Sequence, residues 1–209
     1  MASDKYKDIV RHYESCFDKF GDSHKGVDWP NLEDAEKRYR IMLGVIRENS
    51  ASPVSLLDFG CGLAHMFEYI LKAGLGNMQY SGLDISESFV KASKLKYPEN
   101  NFYTVDILKN PEAIPVFDYI VMNGVFTEKR EMSFDEMWTY FKEMLSVVFP
   151  KCTKGIAFNV MSKAVDWERE DLFHLPVDLL IDFLTKNLSR NFVVRNDYGL
   201  YEYTVYVYK

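Results

Sequence analysis

Val54 to Ala64 reads VSLLDFGCGLA, and the next apolar segment closes on Gly82-Leu83-Asp84. An apolar run that ends in an acidic residue and passes into Gly-x-Gly is the pattern of a buried strand breaking into a tight turn, where backbone can approach a ligand. Gly60 and Gly62 carry no side chains to hold that backbone away, and the helix that follows would present free N–H groups to a carboxylate or phosphate. Asp84, at the end of a second strand, is placed to accept hydrogen bonds from a ribose; its alternative reading is a helix cap or turn residue. Together the two features point to a nucleotide-cofactor site. A dinucleotide fingerprint would need a third glycine at position 65, where this chain has His65, and that weighs against a nicotinamide cofactor.

Such residues need elements to position them. Val54 to Asp58, Gln79 to Asp84, Phe102 to Asp106, Phe117 to Met122 and Gly155 to Met161 read as buried strands. Between them, His65 to Lys72, Glu87 to Lys96 and Phe134 to Phe149 have helical periodicity, the last opened by a Ser133/Glu136 capping box. This alternation predicts a parallel sheet with helices on both faces, the Asn110 to Pro115 stretch being a loop. Upstream, Tyr6, Ile9, Val10, Tyr13, Phe17 and Phe20 recur at helical spacing, and Asn31 can cap a second helix striped by Leu32, Ala35, Tyr39, Met42, Leu43 and Ile46. At the other end a helix from Val177 to Leu188 leads to Phe192-Val193-Val194 and then YEYTVYVYK, too close together for a parallel crossover, so an antiparallel hairpin at one side of the sheet is expected.

Composition limits the function classes. The 209 residues suit one domain that needs no staples: a helical cap over 1–50 and a core over 51–209. A formal net charge of -6 and the lack of a basic run argue against a nucleic-acid partner. Cys16, Cys61 and Cys152 have no paired spacing, which favours reduced thiols, and no metal motif is visible. The charged N-terminus and the absence of a membrane-length apolar run lead to the expectation of a cytoplasmic protein without a membrane partner.

LLDFGCGLA resembles motif I of the class I S-adenosylmethionine-dependent methyltransferases, an acidic residue, any residue, then Gly-x-Gly-x-Gly, with Ala64 in place of the third glycine. GLDIS resembles the family's acidic strand end, Val105-Asp106-Ile107 its adenine-contacting position, and FDYIVMNGVF its fourth-strand segment, in order over about residues 54 to 161. The resemblance implies a Rossmann-like α/β sandwich whose mainly parallel seven-stranded sheet has an antiparallel C-terminal strand. It implies S-adenosylmethionine as cofactor, S-adenosylhomocysteine as product, and no metal. Gly60, Cys61 and Gly62 would floor the methionine portion. Asp84 would take both ribose hydroxyls, Ile85 would lie under the adenine, Asp106 would accept from the adenine amino group and the Ile107 amide would meet a ring nitrogen. Asn123 and Gly124 would border the sulfonium. Arg38 would reach the methionine carboxylate, unless it is a solvated helix-face charge, and Trp29 would cover the cofactor or staple the second helix to the sheet.

Methyl transfer requires the nucleophile to be held in line with the methyl group and water kept out; a base is needed only for a protonated nucleophile. The catalytic residue is therefore left open, with His174 in DLFHLP ahead of His12, His24 and His65 as a base or substrate contact, and an ordinary loop or partly buried histidine as its other reading. Tyr198 and Tyr201 could be wall residues or hairpin packing. A DNA amino-methylase would carry Asn or Asp followed by Pro-Pro and an aromatic after the fourth strand; Asn123-Gly124-Val125-Phe126 stands there instead. The expected function is methyl transfer to an oxygen or nitrogen of a small molecule. An NAD(P)-dependent oxidoreductase and a cofactor-binding, non-catalytic subunit are the alternatives, and oligomeric state is open. The segment from Ser162 to Pro176 could be a lid or a solvated connector.

Overall fold

A computed structural model describes residues 5–47 and 53–209. The expected join between cap and core at 50/51 lies outside the described residues. Among the described residues, eight strands form one sheet: β1 (Val54–Phe59), β2 (Met78–Asp84), β3 (Asn101–Thr104), β4 (Phe117–Met122), β5 (Cys152–Ser162), β6 (His174–Leu175), β7 (Phe192–Arg195) and β8 (Glu202–Tyr208). Their order is β3-β2-β1-β4-β5-β8-β7, with β6 beside the end of β5. The first five are mutually parallel, and β8 runs antiparallel to both β5 and β7, as the short connection between the last two strands requires.

The seven strands read from the sequence are all present, and β6 is an addition: two residues of the 162–176 segment pair in parallel with Met161 and Ser162. Their brevity left no alternation to detect. β3 stops at Thr104, so Asp106 sits in the turn beyond it. The 110–115 loop holds a single short helical turn at Pro111–Ala113.

The helices are α1 (Tyr6–Phe20), α2 (Leu32–Leu43), α3 (His65–Lys72), α4 (Glu87–Lys96), α5 (Phe134–Val148) and α6 (Val177–Asn187). Asn31 caps α2 by accepting from the Asp34 amide, and the Ser133/Glu136 box closes α5 reciprocally. Among the described residues no helix is long and apolar enough to cross a membrane.

Strand periodicity separates two cores. Leu57 and Phe59 of β1, Ile120 and Met122 of β4, and Val205 and Val207 of β8 point into the layer shared with α1, α5 and α6. Leu56, Tyr119, Val121, Tyr206 and Tyr208 point into the opposite layer, with α2 and α3. The Tyr206 hydroxyl reaches across that second layer to donate to the Ile41 carbonyl, tying α2 to the sheet. Parallel register aligns Asp58 with Gly82 and Phe59 with Leu83, which brings the ends of β1 and β2 side by side.

Gly82 sits where Phe102 and Cys61 close on the backbone: a Cβ there would lie 2.6 Å from the phenyl ring and 2.8 Å from the Cys61 sulfur. Gly82→Ala should therefore cost about 1–3 kcal/mol by overpacking. The check is urea unfolding, with a lower midpoint at an unchanged slope.

Candidate functional site

At the C-terminal ends of β1, β2 and β4 lies a cleft of about 1080 Å³, counted to its mouth. This is the edge at which parallel α/β sheets take their ligands. Its floor is the Gly60-Cys61-Gly62 turn. The Gly60 and Cys61 amides both donate to the Leu83 carbonyl, at 2.8 and 2.9 Å, so the turn after β1 is hung from the end of β2. Gly60 and Gly62 have φ of +74° and +50°, the left-handed region where a side chain is strained. Ala64, at the position of the family's third glycine, also lies there (φ +56°, ψ +33°) and is fully buried. The departure in sequence preserves the conformation with the smallest side chain available.

Asp84 is the hub. One carboxylate oxygen accepts from the Gly62 amide and the other from the Ser86 amide, both at 2.9 Å. Burial pushes this carboxyl up to about 6, against the pull of the Ser86, Gly62 and Ile85 amides. The carboxylate keeps acceptor capacity beyond these amides for a ligand donor. Ser86 caps α4 and donates from its hydroxyl to Glu14 of α1 at 2.6 Å. Ser93 of α4 donates to the Gly62 carbonyl at 2.9 Å and braces the turn from behind.

Asp58, two residues before Gly60, is buried and accepts from the Tyr80 hydroxyl at 2.8 Å. Burial raises its carboxyl to about 7; the Tyr80 bond opposes the rise and the charge of Asp84 adds to it. Burial likewise holds the Cys61 thiol well above its ordinary range, so Cys61 is a wall residue with no thiolate character.

Along the rim, Ile85, Val105, Ile107 and Asp106 line the cleft opposite α1. The Tyr6 hydroxyl of α1 donates to Asp106 at 2.7 Å, and its ring stacks on Tyr140 at 5.2 Å between centroids. Asn123, Gly124 and Trp29 line the other end, where Asn123 Oδ1 is buried with no partner among the described residues. An apolar pair, Ile85 and Ile107, an acceptor at each of Asp84 and Asp106, and a buried acceptor awaiting a donor fit an adenosyl group and its polar tail.

Nine of the ten expected cofactor residues thus line one cleft: Trp29, Gly60, Cys61, Gly62, Asp84, Ile85, Asp106, Ile107 and Asn123. Arg38 does not. It lies behind the wall, its Nε donating to Glu202 at 2.9 Å and its guanidinium 4.4 Å over the Trp29 ring. The reading of Arg38 as a solvated charge is also excluded, since its side chain is only 12% exposed.

His174 is likewise not brought to the cleft. It is buried beside β5, with Nδ1 2.7 Å from the Ser162 carbonyl and Nε2 accepting from the Arg169 amide at 3.3 Å. Both ring nitrogens are engaged by backbone, which makes it a structural histidine that anchors the 162–174 segment. Tyr198 and Tyr201 are also away from the cleft, the first buried against Glu202 and Thr204. His65 lines it, with Nε2 held 2.7 Å from Asp22. The His12, Cys16 and Asp28 donor atoms lie within 4.8 Å of one another, with His12 Nε2 hydrogen-bonded to Asp28 at 2.7 Å.

The residues missed from sequence are the aromatic lining of α1, Tyr6 and Tyr13, and Val27 from the following loop. The sequence shows Tyr6, Ile9, Val10 and Tyr13 as an apolar stripe but not which surface the stripe faces.

A family described as a methyltransferase domain matches residues 57–148, from within β1 to the end of α5. A Mycobacterium tuberculosis protein named as a methyltransferase, Rv1506c, is 27% identical over 163 residues, covering 77% of this chain and 96% of its own. Among solved structures, magnesium protoporphyrin IX methyltransferase from Synechocystis PCC 6803, with bound SAM, matches with a TM-score of 0.66 at 16% identity. That match covers 100% of this chain and 98% of the other. The plantazolicin methyltransferase BpumL, in complex with a pentazolic desmethylPZN analog and SAH, matches with a TM-score of 0.60 at 17% identity, covering 98% of both chains. These structural likenesses establish the fold.

The raised carboxyls have a consequence for the ligand-free protein. A carboxyl raised in the folded state favours folding fully below its unfolded value of about 4, and that contribution is lost as pH rises through about 6 for Asp84 and about 7 for Asp58. Asp58→Asn keeps an acceptor for Tyr80 and removes the buried charge. It should raise stability at pH 8 by about 1 kcal/mol or more, an advantage that shrinks towards pH 5, as urea unfolding at the two pH values would measure.

Proposed function

We propose that this chain, a class I S-adenosylmethionine-dependent methyltransferase, passes its methyl group to an oxygen or nitrogen of a small-molecule acceptor. The observation that carries the donor site is the Asp84 carboxylate, clamped by the Gly62 and Ser86 amides at the end of β2 and open towards the cleft. Bound there, the donor supplies an electrophilic methyl group on a sulfonium. Asp84 would hold the ribose hydroxyls, Ile85 and Ile107 would sandwich the adenine, and Asp106, already fixed by Tyr6, would accept from its amino group. The Gly60-Cys61-Gly62 floor would carry the amino-acid tail. Asn123 Oδ1 is a buried acceptor at that end, suited to an ammonium donor.

The small acceptor is argued from what surrounds the cleft. α1 lies along it through Tyr6, Ile9, Val10 and Tyr13, and Val27 and Trp29 narrow it further. A polymer would have to displace these segments, whereas a compact molecule can enter beside them. The net charge of -6 gives no footprint for a polyanion. The Mycobacterium tuberculosis relative supports a methyl-transfer reading over most of the chain, and the plantazolicin methyltransferase, solved with a pentazolic analog and SAH, supports the acceptor class by analogy of fold alone. In-line attack needs the nucleophile positioned and water excluded, roles that suit the Tyr13, Val27 and Trp29 wall.

S-adenosylhomocysteine at a hundred times its dissociation constant should stabilise the protein by about 2.7 kcal/mol, and Asp84→Ala should abolish the effect; unchanged melting of the wild type would refute the donor site. Because a hydroxyl donor favours the ionised carboxylate, affinity should fall below about pH 6, approaching tenfold per pH unit, with Asp84 the titrating group. Calorimetric titrations between pH 5 and 8 measure this.

A further inference from the structure

Behind the wall of the cleft runs a buried polar circuit that the donor site itself does not use. The Gly124 amide donates to Asn159 Oδ1 at 2.8 Å, and Asn159 Nδ2 donates to Glu202 Oε1 at 3.0 Å. Glu202 Oε2 takes Arg38 Nε at 2.9 Å, and the Arg38 guanidinium lies 4.4 Å over the Trp29 ring. Trp29 returns to the start: a Cβ placed on Gly124 would lie 3.0 Å from its indole. Gly124 has φ +79°, so both its conformation and its neighbour exclude a side chain. Tyr198 completes the surroundings of Glu202, at 3.4 Å from Oε1, and bonds Thr204 at 2.9 Å.

The circuit joins five separate pieces of chain: the loop before α2, α2 itself, the turn after β4, the middle of β5 and the start of β8. Asn159 and Glu202 are 0% and 1% exposed, so little solvent is present to substitute for a lost partner. The Asn159 amide can satisfy both neighbours in only one orientation, because a flip would set its N–H₂ against the Gly124 amide and its oxygen against the Glu202 carboxylate. A hydrophobic set of similar volume would be at least as stable in such a place, so stability alone does not account for a buried ion pair here. Two members of the circuit, Gly124 and Trp29, face the cleft; the other three do not.

We propose that Arg38, Glu202 and Asn159 are positioning residues, which act through Trp29 and the Gly124 backbone to hold the methyl-donating end of the cleft in its binding geometry. The inference rests on the donor-site reading above. It gives Arg38 a role different from direct contact with the donor's carboxylate: the guanidinium plates Trp29 from behind. It also explains why an arginine suits this place, since a planar fork can stack on an indole and bond a carboxylate at once, which a lysine ammonium cannot.

The test uses Arg38→Lys, which keeps the charge but loses the fork, and Arg38→Met/Glu202→Gln, which removes both buried charges while leaving an acceptor for Asn159. Melting temperature, S-adenosylhomocysteine affinity by calorimetry and Trp29 emission are measured, the last in a Trp138→Phe/Trp167→Phe background where Trp29 is the sole tryptophan. Expected are a folded double variant, affinity weakened about tenfold or more, and shifted Trp29 emission in both variants. Affinity and emission equal to wild type in the folded double variant would overturn the proposal. If that variant fails to fold, Arg38→Lys decides by the same two readouts. Wild-type protein that does not bind S-adenosylhomocysteine would sink the donor site and the positioning role together, whereas binding that is indifferent to both variants sinks the positioning role alone.

Discussion

The arrangement of this protein depends on one buried carboxylate. Asp84 is out of water at the end of a parallel strand, a position in which an unpaired charge would be costly, and backbone amides from two different segments are folded around it. Satisfying it fixes the turn after β1 through Gly62 and the start of α4 through Ser86. Ser86 in turn holds Glu14, so α1 is tied to the same point. The sheet register makes this possible, because the Leu83 carbonyl collects the Gly60 and Cys61 amides just before Asp84 collects the Gly62 amide. Burial still leaves the group with a raised pKa, which means the amides compensate its desolvation only in part. A ligand that donates further hydrogen bonds completes what the fold leaves undone.

Local chemistry made much of this legible from sequence. The Asn31 cap and the Ser133/Glu136 box needed only neighbours three residues apart, and both formed as read. Strand ends announced themselves because a parallel sheet buried on both faces gives apolar runs that stop at polar residues, as at Asp84, while β1 runs one residue past Asp58 to Phe59. What stayed hidden depended on distance along the chain. Arg38 and Glu202 are separated by 164 positions, and no pattern around either names the other. His174 shows the converse: a histidine in a loop-like stretch invites a chemical role, but its two nitrogens are consumed by the Ser162 carbonyl and the Arg169 amide, contacts that exist only once β6 is laid beside β5.

α1 marks the boundary between these cases. Its stripe was evident as an apolar face, yet periodicity says only that a face is buried, not whether it covers a core or a cavity. Here it does both: Tyr6 and Ile9 belong to the core beneath α5, and with Tyr13 they form the roof of the cleft. The two tyrosines of that face, Tyr6 and Tyr13, suit a surface that must be apolar in body and polar at its edge, as the Tyr6 hydroxyl on Asp106 illustrates.

The division of labour along the chain follows from this geometry. The stretch shared with the methyltransferase domain, 57–148, contains the turn, Asp84, Asp106 and Asn123, and so holds the groups that would meet the donor. The roof and the far wall, Tyr6, Tyr13, Val27 and Trp29, precede that stretch, and the circuit that backs Trp29 draws Asn159 and Glu202 from after it. A fixed donor floor and a roof assembled from flanking segments can change independently only if something keeps them in register. Bonds that run from Glu14 to Ser86, from Tyr6 to Asp106 and from Arg38 to Glu202 do so at three points around the cleft. Each is a polar contact inside largely apolar surroundings, where geometry is enforced by the cost of leaving a partner unsatisfied rather than by the strength of the bond itself. Val27, an apolar roof side chain between those points, carries no such obligation and is a position at which the shape presented to an acceptor is free to vary, whereas Tyr13 is itself hydrogen-bonded to Thr127.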